Sequence, residues 1–74
     1  MGSLRYILVE SKYDTRTTYG IALADCSDEY PVIIEVFPDL SSDKERVNGF
    51  VRLCTELELA PLHLPDAVYN FLAE

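Results

Sequence analysis

The chain has 74 residues, of which 49% are hydrophobic by a broad count and 26% are charged, a composition typical of one small globular domain and not of a disordered segment. Thirteen acidic residues oppose six basic ones, which gives a formal charge of −7 at pH 7. Because such a charge repels nucleic-acid phosphates and anionic lipids, we expect neither nucleic acid nor a membrane among the partners.

The apolar runs and the first residues bear on location and domain organisation. No apolar run exceeds about four residues, far below the roughly 18 that a membrane-spanning helix needs. Residues 1–5 lead directly into a strand pattern and contain no signal-peptide apolar region. We therefore expect a cytoplasmic protein in which residues 1–74 form one domain, with a cloning origin as one interpretation of residues 1–3.

The first half of the chain predicts β-strands, because its apolar residues mostly alternate. In the first predicted strand, residues 4–12, Tyr6 and Leu8 share one face while Ile7 and Val9 share the other. A polar segment of hairpin length follows.

The second predicted strand, residues 17–25, has two unlike faces. One face carries the large side chains Tyr19, Ile21 and Leu23, and the other carries Gly20, Ala22 and Ala24. A stripe without side-chain bulk allows another backbone to approach closely, so we expect tight packing there.

The third predicted strand covers residues 30–37 and closes at Pro38. Its apolar residues lie on both faces, with Val32, Ile34 and Val36 on one and Ile33 and Phe37 on the other. Short polar connections favour an antiparallel meander. Since a half-solvated sheet has a polar outer face, we expect helices to cover one face and a second subunit the other, with a curled sheet as the alternative.

After Pro38 the apolar spacing changes to that of a helix, through Val47, Phe50, Val51, Cys54, Leu57 and Leu59. We predict that this helix begins near Ser41 or Ser42, with Ser42 and Glu45 forming a capping box, and ends near residue 58. Gly49 lies inside it at a cost of about 1 kcal/mol relative to Ala.

A second predicted helix begins near Pro65 and Asp66. Its apolar face would consist of Val68, Phe71 and Leu72. The predicted fold class is therefore α+β, a three-stranded antiparallel meander followed by two helices packed on one face.

No catalytic, cofactor or metal signature is present in the sequence. His63 could act as a general base oriented by Asp66, but we favour a structural place in the interhelix turn, capping the second helix or bonding a carbonyl. Cys54 and Cys26 could form a disulfide, bind zinc with His63, or provide a nucleophile at Cys54. Cys54 lies on the apolar helix stripe, which favours core packing.

Residues 39–45 begin like a calcium loop, with oxygen side chains at alternate positions. The pattern then fails, because Lys44 stands where such a loop has glycine and Phe50 where it has glutamate. Helix capping explains the segment better.

Short segments of the chain carry a resemblance to a known family. These are Tyr19-Gly20-Ile21, Leu53-Cys54, and residues 61–66 followed by Phe71-Leu72. In them the chain resembles a family of short bacterial proteins of unknown function, found mainly in Firmicutes. The resemblance implies a bacterial cytosolic context and brings no activity, ligand or catalytic residue.

Our main hypothesis is a non-enzymatic interaction module, a homodimer open to a further protein partner. It rests on the small size, the two-sided apolar sheet and five tyrosines that suit an interface. The alternative is a small thiol- and histidine-dependent enzyme or redox sensor using Cys54 and His63. A third hypothesis is an acidic mimic of nucleic acid, which would need carboxylates such as Asp25, Asp28, Glu29, Asp39 and Asp43 to align on one face.

Overall fold

The computed structural model describes residues 3–74 and confirms the predicted fold class, an antiparallel three-stranded sheet followed by two α-helices. The interpretation of residues 1–3 as cloning residues falls mostly on Met1 and Gly2, which lie outside the described residues. The elements are β1 (Leu4–Tyr13), β2 (Arg16–Asp25), β3 (Val32–Ser41), α1 (Lys44–Glu56), a 3₁₀ turn (Pro61–His63) and α2 (Leu64–Ala73).

Strands β1 and β2 form a regular hairpin. They pair without interruption from Leu4 opposite Asp25 to Tyr13 opposite Arg16, and their connection has only two residues. Alternation along β1 therefore holds as predicted. Tyr6 and Leu8 pack against the core, and Ile7 between them points to the opposite side.

The pairing of β2 with β3 is interrupted twice, once near Tyr19 and once between Leu23 and Ala24. At the first interruption the backbone of β3 comes very close to Gly20. A Cβ atom there would overlap the carbonyl oxygen of Phe37 and lie 2.7 Å from Cα of Pro38. The predicted close approach to the flat stripe is confirmed at Gly20, and the approaching backbone is that of the neighbouring strand.

The predicted end of the third strand at Pro38 is wrong, since β3 continues to Ser41. Proline is tolerated there because β3 is an edge strand and the ladder is already irregular at that point. The predicted grouping of Ile33 with Phe37 is also wrong. The irregularity near Ala24 shifts the alternation, which places Ile33 and Val36 on one face.

Both helices pack on the same face of the sheet and form one core with it. Its buried members are Ile21, Leu23, Val47, Val51, Cys54, Leu64, Val68 and Phe71. Leu57 and Leu72 were predicted to be part of it but are exposed. Leu57 follows the last residue of α1, and α2 begins at Leu64, so its buried positions are 64, 68 and 71, a spacing of i, i+4 and i+7.

The start of α1 differs from the predicted capping box. Asp43 is the N-cap, and its carboxylate accepts a hydrogen bond from the backbone N–H of Arg46 at 3.2 Å. Ser41 instead accepts from the N–H of Asp43. The helix ends at Glu56 because the chain turns into the left-handed region at Glu58, where φ is 50°.

Neither α1 nor α2 is long and apolar enough to cross a membrane, and no other helix in residues 3–74 is.

Candidate functional site

The sheet face turned away from the helices is called the open face here. Register and strand alternation assign thirteen residues to it: Arg5, Ile7, Val9, Ser11 and Tyr13 from β1, Arg16, Thr18, Gly20, Ala22 and Ala24 from β2, and Ile33, Val36 and Asp39 from β3. Neither α1 nor α2 packs over it, but the backbone of β3 at Phe37 and Pro38 lies against Gly20 on this face.

The centre of the open face carries small side chains. Ala22 and Ala24 lie there and are buried, because the longer side chains of the two flanking strands shield them. Ile33 and Val36 form the ridge on the β3 side and remain 50% and 47% exposed. Adjacent exposed aliphatic side chains on an uncovered sheet face suit contact with another protein.

The charge of the open face differs from that of the whole chain. It carries two basic residues, Arg5 and Arg16, and one acidic residue, Asp39. The protein as a whole has a formal charge of −7, so its excess of carboxylates lies on other surfaces. Electrostatic repulsion therefore does little to keep two open faces apart.

A polar cluster closes one end of the open face around Asp39. The hydroxyl of Thr18 donates to its carboxylate at 2.5 Å, and the hydroxyl of Tyr13 donates at 2.9 Å. Asp39 itself has a φ of 60°, a left-handed conformation that aspartate tolerates better than most residues. The cluster joins β1, β2 and β3 where the second ladder is most irregular.

These hydrogen bonds set the ionisation of the cluster. The bonds from Thr18 and Tyr13 hold the pKa of Asp39 below its ordinary value. The same bond to Asp39 raises the pKa of Tyr13. Near neutral pH the pair is therefore a carboxylate and a neutral phenol, an arrangement that favours a structural role over proton transfer.

We expect replacement of Asp39 by Asn to reduce the acid sensitivity of the fold. Since the folded-state pKa of Asp39 is lowered, its carboxylate stabilises the fold above the unfolded-state pKa, and this contribution is lost as the pH falls through the folded-state pKa. Melting temperatures recorded between about pH 7 and pH 2 should fall less steeply for D39N than for the wild type.

The matched control for this experiment is Asp28→Asn, which changes an exposed carboxylate in the β2–β3 connection. D28N should keep the wild-type pH profile. Parallel wild-type and D39N profiles would show that the Asp39 bonds add nothing to stability.

The structure does not bring His63, Asp66 and Cys54 together as a catalytic set. His63 lies in the turn between the two helices, as predicted, and is exposed at the N-cap position of α2. Its side chain makes no capping hydrogen bond. Asp66 is exposed in the first turn of that helix. The hydrogen bonds of residues 3–74 do not link either side chain to the other or to Cys54.

Cys54 is a core residue, as its place on the apolar stripe predicted. It is 3% exposed, and burial raises the pKa of its thiol. A thiol that is inaccessible and reluctant to ionise is a poor nucleophile, so this geometry gives the thiol-enzyme hypothesis no support. Cys26, which is half-buried, is also a free thiol.

We expect alkylation to distinguish the two thiols. In a Cys26→Ser variant, iodoacetamide at neutral pH should modify Cys54 at least about tenfold more slowly in the native protein than in urea, because the buried thiol reacts only after opening. The complementary Cys54→Ser variant reports on Cys26. Equal rates for Cys54 with and without urea would revive a reactive-thiol function.

Among the described residues, no group of three or more side chains is arranged to hold a metal ion. Asp39 and Asp43, which suggested the start of a calcium loop, instead bond Thr18 and cap α1. Sequence reasoning overlooked the Asp39 cluster, since Tyr13 and Asp39 lie 26 positions apart and no motif links them.

The fold and its uncovered surface define a small α+β domain with one helix-covered and one open sheet face. The model of a family of unknown function (DUF6514) matches residues 2–74, and the chain belongs to that family. Comparisons with curated proteins and with solved structures found no match. The expected membership of an uncharacterised family is confirmed, while the Firmicute origin stays a prediction.

Proposed function

We propose that this protein is a non-enzymatic interaction module that acts as a homodimer, with the open faces of two copies packed on each other. The observation that carries the proposal is the half-exposure of Ile33 and Val36, which lie beside the buried Ala22 and Ala24 on a face that no helix covers. Leaving these aliphatic groups in water costs free energy that a second copy would recover.

The size of the open face fits a weak but specific dimer. Three strands of ten residues, at about 3.3 Å per residue and about 4.8 Å between strands, present roughly 500 Å² per copy. Two copies would bury roughly 1,000 Å² in total, which is the size at which specific interfaces begin. We therefore expect dissociation in the micromolar range.

The shape of the open face also suits self-packing. Two sheets pack face to face at about 10 Å with their strands nearly aligned, and side chains of one face enter the gaps of the other. The aliphatic ridge of Ile33 and Val36 in one copy would pack against the side chains that shield Ala22 and Ala24 in the other. Such a contact is isologous, so a twofold axis closes the assembly at two copies.

The proposal includes a cytoplasmic, bacterial setting. Both cysteines of the chain are free thiols, which suits a reducing compartment. The carboxylates that the dimer leaves exposed would remain available to a further partner.

We expect the wild-type protein to sediment as a dimer at concentrations of about 100 µM and to dissociate on dilution. Val36→Lys and Ile33→Lys place a charge on the aliphatic ridge of the interface and should give a folded monomer. Leu62→Lys is the matched control, because Leu62 is 82% exposed in the 3₁₀ turn on the helix side. Circular dichroism would establish that all variants are folded.

A wild-type monomer at about 100 µM would refute the proposed dimer. A dimer that survives V36K and I33K but not L62K would place the interface on the helices instead.

A further inference from the structure

The outer edge of β1, the side facing away from β2, carries backbone groups without partners. The N–H of Cys26 donates to the carbonyl of Ser3 at 2.7 Å, so Ser3 bonds towards β2. The β1–β2 ladder is regular, and its bonding alternates from one residue to the next. Leu4, Tyr6 and Leu8 therefore direct their N–H and C=O groups outward, and the hydrogen bonds of residues 3–74 give these groups no partner.

The two edges of the sheet differ in their ability to accept another strand. The β3 edge contains Pro38 and two irregularities, both of which disrupt pairing. β1 pairs regularly with β2 over ten residues and contains no proline, so its outer edge is uninterrupted and has all its N–H groups. A strand that joins this sheet would therefore join it at β1.

A cleft of about 690 Å³ lies along the first half of that edge. Leu4, Tyr6 and Ile7 form one wall, and the connection between α1 and α2 forms the other through Leu59 and Pro61. The hydroxyl of Tyr6 donates to the carbonyl of Leu59 at 2.6 Å, which fixes the distance between the walls. Its volume is large enough to receive an aliphatic side chain of an extended chain that lies along β1.

The helix side of the cleft has a negative potential. The C-terminal end of α1 points to it, and its last turn contains no basic residue. Helix C-termini normally carry bases, but here Glu56 and Glu58 follow one another closely at the negative end of the helix dipole. Glu58 lines the cleft. Within residues 3–74 the only base that lines it is Arg5, which belongs to the open-face side of β1. A positively charged group on a ligand would therefore complement the helix side of the cleft.

We propose that the outer edge of β1 binds an extended segment of a partner protein by strand addition, with an aliphatic side chain in the cleft and a lysine or arginine beside Glu58. The main-chain bonds to Leu4 and Tyr6 supply affinity, and the cleft and Glu58 supply specificity. The inference deepens the proposed interaction function by naming the chemistry of the partner. The cleft lies beside the proposed dimer interface and shares Arg5 and Ile7 with it, whereas Ile33 and Val36 do not line the cleft.

Selection from a phage-displayed library of random twelve-residue peptides tests the inference. On the wild-type protein we expect enrichment of peptides that alternate aliphatic and Lys or Arg residues, and the enriched peptides, synthesised and labelled with fluorescein, should bind in an anisotropy titration. Leu4→Pro removes an outward N–H at the first residue of β1, where proline is tolerated, and should weaken binding at least tenfold. Leu4→Val keeps that N–H and should bind like the wild type.

Charge reversal at Glu58 provides a second arm. Glu58→Lys should weaken binding of the selected basic peptides several-fold, while Glu29→Lys, at an exposed site in the β2–β3 connection, should leave it unchanged. The inference would be overturned if the selected peptides bound wild type, L4P and E58K equally. It would also be overturned if the selection enriched no peptide.

Amide hydrogen exchange gives a readout that needs no variant. In the free protein the amides of Tyr6 and Leu8 should exchange quickly and those of Ile7 and Val9 slowly, and a bound peptide should protect Tyr6 and Leu8. If these two amides were already protected in the free protein and lost that protection on dilution, a second copy would occupy this edge. That result would refute the proposal that a partner peptide binds there. Peptide binding by the V36K monomer separates the two proposals, because it would persist even if the dimer failed.

Discussion

Replacing Val51 by Asp is expected to abolish the cooperative thermal transition of this domain. Val51 is buried on the face of α1 that packs on the sheet, in a core made almost entirely of aliphatic and aromatic side chains. An unpaired charge in such a position costs several kcal/mol, about 3–5 in typical cases. A chain of this length starts from only about 4–10 kcal/mol, and its small core favours the lower end.

The neighbouring residue supplies the control for this variant. Arg52 is exposed on the same helix, so Arg52→Asp changes the charge without entering the core and should melt close to the wild type. Differential scanning calorimetry of both variants decides the matter. A cooperative transition of V51D near the wild-type temperature would show that α1 does not pack on the sheet through this face.

The second large effect is expected from replacing Gly20 by Ala. The added methyl group would overlap the carbonyl oxygen of Phe37 and come within 2.7 Å of Cα of Pro38. Both obstacles are backbone atoms of β3, so the strand itself must move away from β2. We expect a loss of about 2–3 kcal/mol in the free energy of unfolding, as for other overpacked sites.

Gly49→Ala is the matched control and should have the opposite sign. Gly49 lies inside α1, and no atom outside its own helix turn lies within 4 Å of an added Cβ. Alanine there should stabilise the protein by about 0.5–1 kcal/mol, because glycine is a poor helix former. Urea denaturation of the two variants would measure both changes, and equal effects would contradict the close contact at Gly20.

The fold class was predictable because the apolar period changes once, at Pro38, and each half keeps its own period. The buried positions Val47, Val51 and Cys54 follow directly from the helical spacing, and Ile21 and Leu23 from the alternation in β2. Local patterns of this kind survive because burial of one face is the main stabilising term of a small domain.

The details of β3 were not predictable, since they arise from pairing between strands. An extra residue near Ala24 reverses the alternation and moves Ile33 to the open face, and nothing in the local sequence marks it. The Asp39 cluster depends on the same irregular ladder. It joins side chains 26 and 21 positions apart, to Tyr13 and Thr18, which no periodic pattern connects.

The hydrogen bond between Tyr6 and the carbonyl of Leu59 joins positions 53 residues apart in the chain. This bond can form only after most of the chain has left the ribosome, because synthesis runs from the first residue to the last. The three strands emerge before either helix is synthesised. A nascent sheet therefore exposes apolar side chains on both faces until α1 and α2 fold onto it. The nascent chain is most prone to aggregation at this stage of synthesis, and a chaperone that covers the sheet would have its largest effect then.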